Sequence, residues 1–285
     1  MPYVSNEGVR IHYEAEGHGP PLVLQHGLTS SIRRWRLCGY VEELRGDYRL
    51  ILVDARGHGD SEKPHDPQAY TAELMTGDIA AVMNDLGVEK ANYWGYSMGG
   101  RIGFELMRYH PSRFTSYIMG GISPYEIVPP TEAGRQFVAS IGAMLRLGDE
   151  EGPEAVISLQ EKTLGRAASA EEKKRLLDSD FKALLTVYQN FISWPTTDDL
   201  LPSITVPCLL YAGERDPFHD GAKEAAKHIQ HASFLSVPGL EHTETFEHSD
   251  LVLPHAKRFL RSVTVRKRQD VSVEEDKSED LGIDY

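Results

Sequence analysis

Tyr93-Trp94-Gly95-Tyr96-Ser97-Met98-Gly99-Gly100 is the stretch around which this chain is organised. Ala91 to Trp94 reads as a short strand, entered from a helix that ends near Leu86-Gly87-Val88. From Ile102 the apolar residues Phe104, Leu106 and Met107 suit one face of a helix. Ser97 therefore sits where a strand turns sharply into a helix. Gly95 and Gly99 flank it at a spacing of two and remove Cβ atoms that so tight a turn would crush. The pattern is G-x-S-x-G in a strand–turn–helix context, a nucleophile elbow.

A serine hydroxyl is a poor nucleophile at neutral pH. It needs a base, a group that orients the base, and donors for the oxyanion that forms. The helix behind Ser97 aims its first N–H groups at the reacting centre. The Met98 N–H is thus one expected oxyanion donor, and the rest of the chain must supply the other parts.

The chain has 285 residues, enough for one large domain or one domain with an insertion, and its 40% hydrophobic content supports a sizeable core. A net charge of −13 argues against nucleic acid or an anionic membrane surface as partner. Cys38 and Cys208 lie far apart without a C-x-x-C motif, so neither a zinc site nor a disulfide framework is expected. Met1 to Arg10 offers no apolar core for a signal peptide, and no run is long enough to span a membrane. A cytoplasmic chain without cofactor or metal is the expectation.

Val9 to Tyr13 alternates like a half-exposed strand. Leu22 to His26 and Leu50 to Val53 read as buried strands, ending at Gly27 and Asp54. Helices are expected over Ile32–Leu44 and Thr71–Leu86, and Tyr117 to Met119 is the strand after the elbow helix. Strands alternating with helices imply a mostly parallel sheet covered on both faces. The pattern changes between Ser123 and Pro202, where helices over Glu132–Leu147, Pro153–Leu164 and Ala170–Ser193 follow without a strand. Alternation resumes with Cys208 to Tyr211, Phe234 to Val237 and a last helix over Leu251–Leu260. The expected division is an α/β core over 1–122 and 203–262, a helical cap over 123–202, and a mobile charged tail over 263–285.

Sheets of this kind bind ligands at the carboxyl ends of their strands. The candidates there are His26, Gly27, Asp54, Ser97, Asp216 and His242. Asp216 lies in a Gly–Pro loop where an aspartate could simply cap the next helix. His242 lies between the final strand and the final helix. Together with Ser97 they follow the order Ser…Asp…His at three strand ends, which makes Ser97, Asp216 and His242 the expected triad. His26 and His58 precede glycines and are expected to hold loops in place. Asp54, the rival acid, is expected to bind the backbone of its own loop. The second oxyanion donor should be the Leu28 N–H, in the loop after the strand ending at His26.

His26-Gly27, Asp54-x-Arg56-Gly57-His58-Gly59-x-Ser61, Gly95-x-Ser97-x-Gly99-Gly100, Gly213-x-x-Asp216 and Gly239-x-x-His242 together resemble the α/β-hydrolase superfamily, from Val9 to Leu260 apart from the cap. Glu241 departs from the glycine common before the histidine and is expected to face solvent. The resemblance implies a cap-bearing serine hydrolase of esterase type, cleaving a small carboxylic ester or lactone through an acyl-enzyme, as a monomer or homodimer. Members resembling haloalkane dehalogenases and epoxide hydrolases carry an aspartate at the elbow, where this chain has Ser97. Meta-cleavage C–C hydrolases commonly show a glycine-proline-rich oxyanion loop and Asn before the serine; Gly27-Leu28-Thr29-Ser30 and Tyr96 differ. Gly95 to Arg101 also looks like the elbow of menaquinone-pathway lyases that eliminate pyruvate, which remains the alternative. Ligand receptors of the same fold are a third class.

Overall fold

The computed structural model describes residues 2–279. An eight-stranded sheet is built from β1 (Tyr3–Asn6), β2 (Val9–Glu16), β3 (Pro21–Gln25), β4 (Arg49–Val53), β5 (Ala91–Tyr96), β6 (Phe114–Gly120), β7 (Cys208–Gly213) and β8 (Ala232–Val237). Their spatial order is β1-β2-β4-β3-β5-β6-β7-β8. The first two strands pair antiparallel, β2 pairs antiparallel with β4, and the remainder is parallel.

Residue alternation along the strands assigns the two faces. Val23, Ile51, Tyr93, Tyr117, Met119 and Leu210 pack on one side. That side is covered by α3 (Ala72–Asp85), α4 (Met98–Tyr109) and α9 (His219–His228). Leu22, Leu24, Leu50, Trp94, Ile118 and Tyr211 pack on the other. There α1 (Ile32–Leu37), α2 (Tyr40–Leu44), α10 (His242–Glu247) and α11 (Ser249–Glu279) close the core. Both faces are therefore buried, as a parallel sheet requires.

Four helices lie between β6 and β7: α5 (Glu132–Glu151), α6 (Pro153–Leu164), α7 (Ala170–Leu177) and α8 (Phe181–Phe191). Val138, Leu145, Val156, Leu176, Phe181, Leu184 and Tyr188 give this segment a small core of its own. Arg101 of α4 fastens both of its stems. Its guanidinium donates to the carbonyls of Pro124 at 2.7 Å and Tyr125 at 3.2 Å on the entering side, and to that of Pro195 on the leaving side.

Some boundaries differ from the sequence reading. The helix expected over 32–44 is broken at Gly39, whose φ of 80° no α-helix accommodates. The one expected over 170–193 is split where Asp180 starts α8 by accepting from Ala183 N–H at 2.9 Å. The sequence reading omits β1, which is short and turns into β2 through Glu7 and Gly8, with φ of 48° and 79°. Two consecutive positive φ values make the two-residue turn whose twist suits a hairpin. The last helix runs from Ser249 to Glu279 instead of ending at Leu260, since no Gly or Pro interrupts 256–279. Within the tail expected over 263–285, residues 263–279 thus continue α11, and 280–285 lie outside the described residues. Among the described residues no helix is long and apolar enough to cross a membrane.

Candidate active site

Ser97 links β5 to α4 with φ 54° and ψ −116°, a conformation that L-residues adopt only under constraint. The constraint is visible on both sides. Ser97 N–H donates to Gly120 O at 2.8 Å, and Ser97 O accepts from Arg101 N–H at 3.0 Å. A Cβ on Gly95 would collide with the Gly99 carbonyl, and one on Gly99 would collide with that of Gln25. Close approach of three backbone segments is what the glycines allow.

His242 is the first residue of α10. Glu241 caps that helix in a reciprocal capping box with Glu244, so the exposed carboxylate beside His242 holds the helix start. His242 Nδ1 lies 2.8 Å from Asp216 Oδ2, and His242 Nε2 lies 3.0 Å from Ser97 Oγ. With Nδ1–H donating to the carboxylate, Nε2 is left as the acceptor facing the hydroxyl. The other Asp216 oxygen accepts from Phe218 N–H at 3.0 Å, so the loop between β7 and α9 fixes the carboxylate. An imidazole held this way can take a hydroxyl proton and return it.

Three aromatic rings surround the imidazole. Tyr96 lies 5.4 Å from it between centroids, Phe218 5.8 Å, and Phe137 of α5 makes an edge contact at 4.9 Å. Tyr96 also donates its hydroxyl hydrogen to the His242 carbonyl. Sequence reasoning missed all three. Their signal is tertiary, because each is an ordinary aromatic in its own segment.

Leu28 and Met98 offer the expected backbone donors. Among the described residues neither N–H has a hydrogen-bond partner, and Met98 is the first residue of α4. The peptide carrying the Leu28 N–H is held by its carbonyl. Gly27 O accepts from His26 Nδ1–H at 2.8 Å and from Ser30 N–H at 3.3 Å. His26 Nε2 in turn accepts from Ala55 N–H at 3.1 Å, which fixes the tautomer. Burial pushes the His26 imidazole below its ordinary pKa and keeps it neutral for this task. A Cβ on Gly27 would sit 3.2 Å from Ser97 Cβ, so the loop passes directly beside the serine.

Asp54 lies elsewhere. Its Oδ1 accepts from Ile32 N–H at 2.8 Å, and its Oδ2 accepts from Asp60 N–H at 3.1 Å and from His12 Nδ1 at 2.8 Å. Burial alone would raise its pKa, but the bond from His12, the nearby His26 and the two backbone donors hold the carboxyl below its ordinary range. His12, Asp54 and Asp60 lie close enough together to suggest a metal cluster. Both Asp54 oxygens are already engaged by hydrogen bonds, which makes the donor set a poor cation site.

The family model described as alpha/beta hydrolase fold matches residues 20–249, and the chain belongs to that family. It is 30% identical over 121 residues to a Bacillus subtilis protein provisionally named 2-succinyl-6-hydroxy-2,4-cyclohexadiene-1-carboxylate synthase, covering 42% of this chain and 43% of that one. It is 30% identical over 116 residues to epoxide hydrolase 3 of Siraitia grosvenorii, covering 40% and 36%. The matched regions thus span less than half of these relatives. Among solved structures, the enol-lactonase of Burkholderia xenovorans LB400 superposes with a TM-score of 0.75 at 23% identity, covering 91% of this chain and 100% of that one.

Proposed function

We propose that this chain is a serine hydrolase of small carboxylic esters or lactones. One observation carries the reading: the unbroken chain from Asp216 through His242 to Ser97 Oγ, set at an elbow with φ 54°. Ser97 attacks the carbonyl while His242 takes its proton and Asp216 holds the imidazole. The Leu28 and Met98 N–H groups receive the oxyanion. His242 then protonates the leaving alcohol, and water, activated by the same imidazole, releases the acid from Ser97. Residues 123–202 act as a lid, with Phe137 covering the imidazole.

The matched epoxide hydrolase is a relative by sequence, but members of that type attack with an elbow aspartate, so epoxide opening is not proposed. The likeness to the synthase supports a second reading, elimination from a polyanionic substrate, which the run Gly95 to Arg101 also suggests. Arg101, however, is fully buried and engaged by stem carbonyls, leaving it unsuited to bind substrate carboxylates.

The test is labelling with a fluorophosphonate together with multiple-turnover release of p-nitrophenol from a short-chain ester. Stoichiometric labelling at Ser97 and turnover abolished by Ser97→Ala are expected. Labelling that persists at an unchanged rate in Ser97→Ala would sink the reading, and a single turnover without recycling would favour a ligand receptor.

A further inference from the structure

Gly27-Leu28-Thr29-Ser30 is a hydrogen-bonded turn, closed by Ser30 N–H on Gly27 O at 3.3 Å. Its third residue, Thr29, has φ 61°. A positive φ at that place is ordinarily filled by Gly or Asn, and a β-branched residue there is strained. The carbonyl of Thr29 accepts from Arg175 at 3.1 Å. Arg175 belongs to α7, which packs on α6 and stands across a cleft of about 430 Å³ whose walls include Thr29, Ser30, Ser31, Lys63 and Arg175.

Arg175 is half-buried, and the nearby acids have other partners. Glu171 pairs with Arg33, Glu172 with Arg166 and Asp178 with Lys174. Burial lowers its guanidinium from the ordinary arginine value, with Arg34 adding to the effect. Among the described residues no carboxylate pairs directly with Arg175, Glu172 and Glu171 acting on it only at longer range, and such a cation makes a strong charge-assisted bond to the acceptor it does reach. That acceptor is one residue beyond the proposed oxyanion donor.

We propose that Arg175 is a positioning residue through which the helical segment clamps the strained turn bearing the Leu28 N–H, so that the oxyanion hole is complete only while α7 is seated. This rests on the serine hydrolase reading for its kinetic consequence, though the clamp itself is a property of the turn. Arg175 does not touch the reacting atoms. Its loss lets Thr29 relax from positive φ and swings the Leu28 N–H out of line. The cost falls on the transition state, where the oxyanion exists, and not on ester binding.

The experiment compares Arg175→Met, Arg175→Lys, Thr29→Gly and the double variant Thr29→Gly/Arg175→Met on a p-nitrophenyl ester, with rates divided by sites titrated with fluorophosphonate. Arg175→Met should lower kcat roughly ten- to a hundredfold, less than full loss of an oxyanion donor, with KM nearly unchanged. Arg175→Lys should recover part of the rate. Thr29→Gly should restore most of it in the double variant, because glycine holds a positive φ unaided. Amide exchange across residues 27–30 should quicken in Arg175→Met and return toward the parent rate in the double variant. Wild-type kcat in Arg175→Met, a loss that Thr29→Gly leaves untouched, or unaltered exchange across 27–30 would overturn the clamp. If the parent shows no Ser97-dependent turnover, the functional reading fails, and the exchange comparison alone decides the clamp.

Discussion

Two imidazole–carboxylate pairs stand at the carboxyl edge of the sheet, and both join Nδ1 to a carboxylate oxygen at the same distance. His242 Nδ1 lies 2.8 Å from Asp216, and His12 Nδ1 lies 2.8 Å from Asp54. Each carboxylate follows a buried strand, β7 or β4, and each also accepts from backbone N–H groups. The pairs differ at the second ring nitrogen. His242 Nε2 meets the Ser97 hydroxyl, whereas His12 Nε2 is buried without a partner among the described residues. A carboxylate at a strand end therefore does not define reactive chemistry. What lies beyond the imidazole does, and only the strand next to the centre of the sheet brings a nucleophile there.

The largest effect that separates the pairs is on turnover. Asp216→Asn keeps the shape of the loop but favours the wrong His242 tautomer. We expect kcat to fall on the order of ten-thousandfold, with the denaturant midpoint nearly unchanged. Full activity in Asp216→Asn would dissolve the distinction.

Asp54→Asn should do the opposite. The amide that replaces one oxygen confronts donors where an acceptor was needed, and burial prevents water from repairing the mismatch. A loss of about 1–3 kcal/mol of stability is expected, read from the denaturant midpoint, with kcat of the folded protein falling less than tenfold. Abolished turnover at normal stability would make Asp54 the functional acid instead.

The asymmetry between the pairs explains what the sequence could carry. Ser97, Asp216 and His242 were legible because each stands in a loop with glycines at fixed offsets, immediately after an apolar run. The parallel core was legible for the same reason, from buried runs separated by helical periods. The partner of Asp54 was not, because His12 lies inside the alternating strand Val9–Glu16, which pairs antiparallel with β4 and turns the ring toward it. No local pattern distinguishes a strand histidine that faces an aspartate from one that faces solvent. The rings of Phe137 and Phe218 around His242, and the bond from Arg175 to Thr29, were hidden similarly, since each spans elements far apart in sequence. Helix ends were misplaced where a single residue decides them, as Gly39 and Asp180 do.

The smallest expected effect concerns His12 and its pH dependence. The hydrogen bond to Asp54 raises the His12 pKa above the ordinary 6.5, against the opposing effect of burial. The folded protein then holds this proton at a pH where the unfolded chain has released it. Below the unfolded value both states are protonated, and the stabilisation from the charged pair is fully present. As pH rises through the raised folded value, the proton leaves and the stabilisation is lost. The Asp54 carboxyl acts at the other end: its lowered pKa makes its contribution present above the ordinary 3.8 and lost as pH falls through the folded value. The two windows do not overlap, so His12 can be isolated. His12→Gln preserves a donor toward Asp54 but cannot titrate. Between about pH 6 and about pH 8 the parent should lose stability relative to His12→Gln by at most about 1.4 kcal/mol for each pH unit, the limit for one proton. Denaturant midpoints of the two proteins across that window provide the comparison, with kcat measured alongside. Parallel stability curves would show that His12 does not carry the proton. A kcat–pH profile that shifts with His12→Gln would instead tie this pair to the chemistry of its counterpart at Ser97.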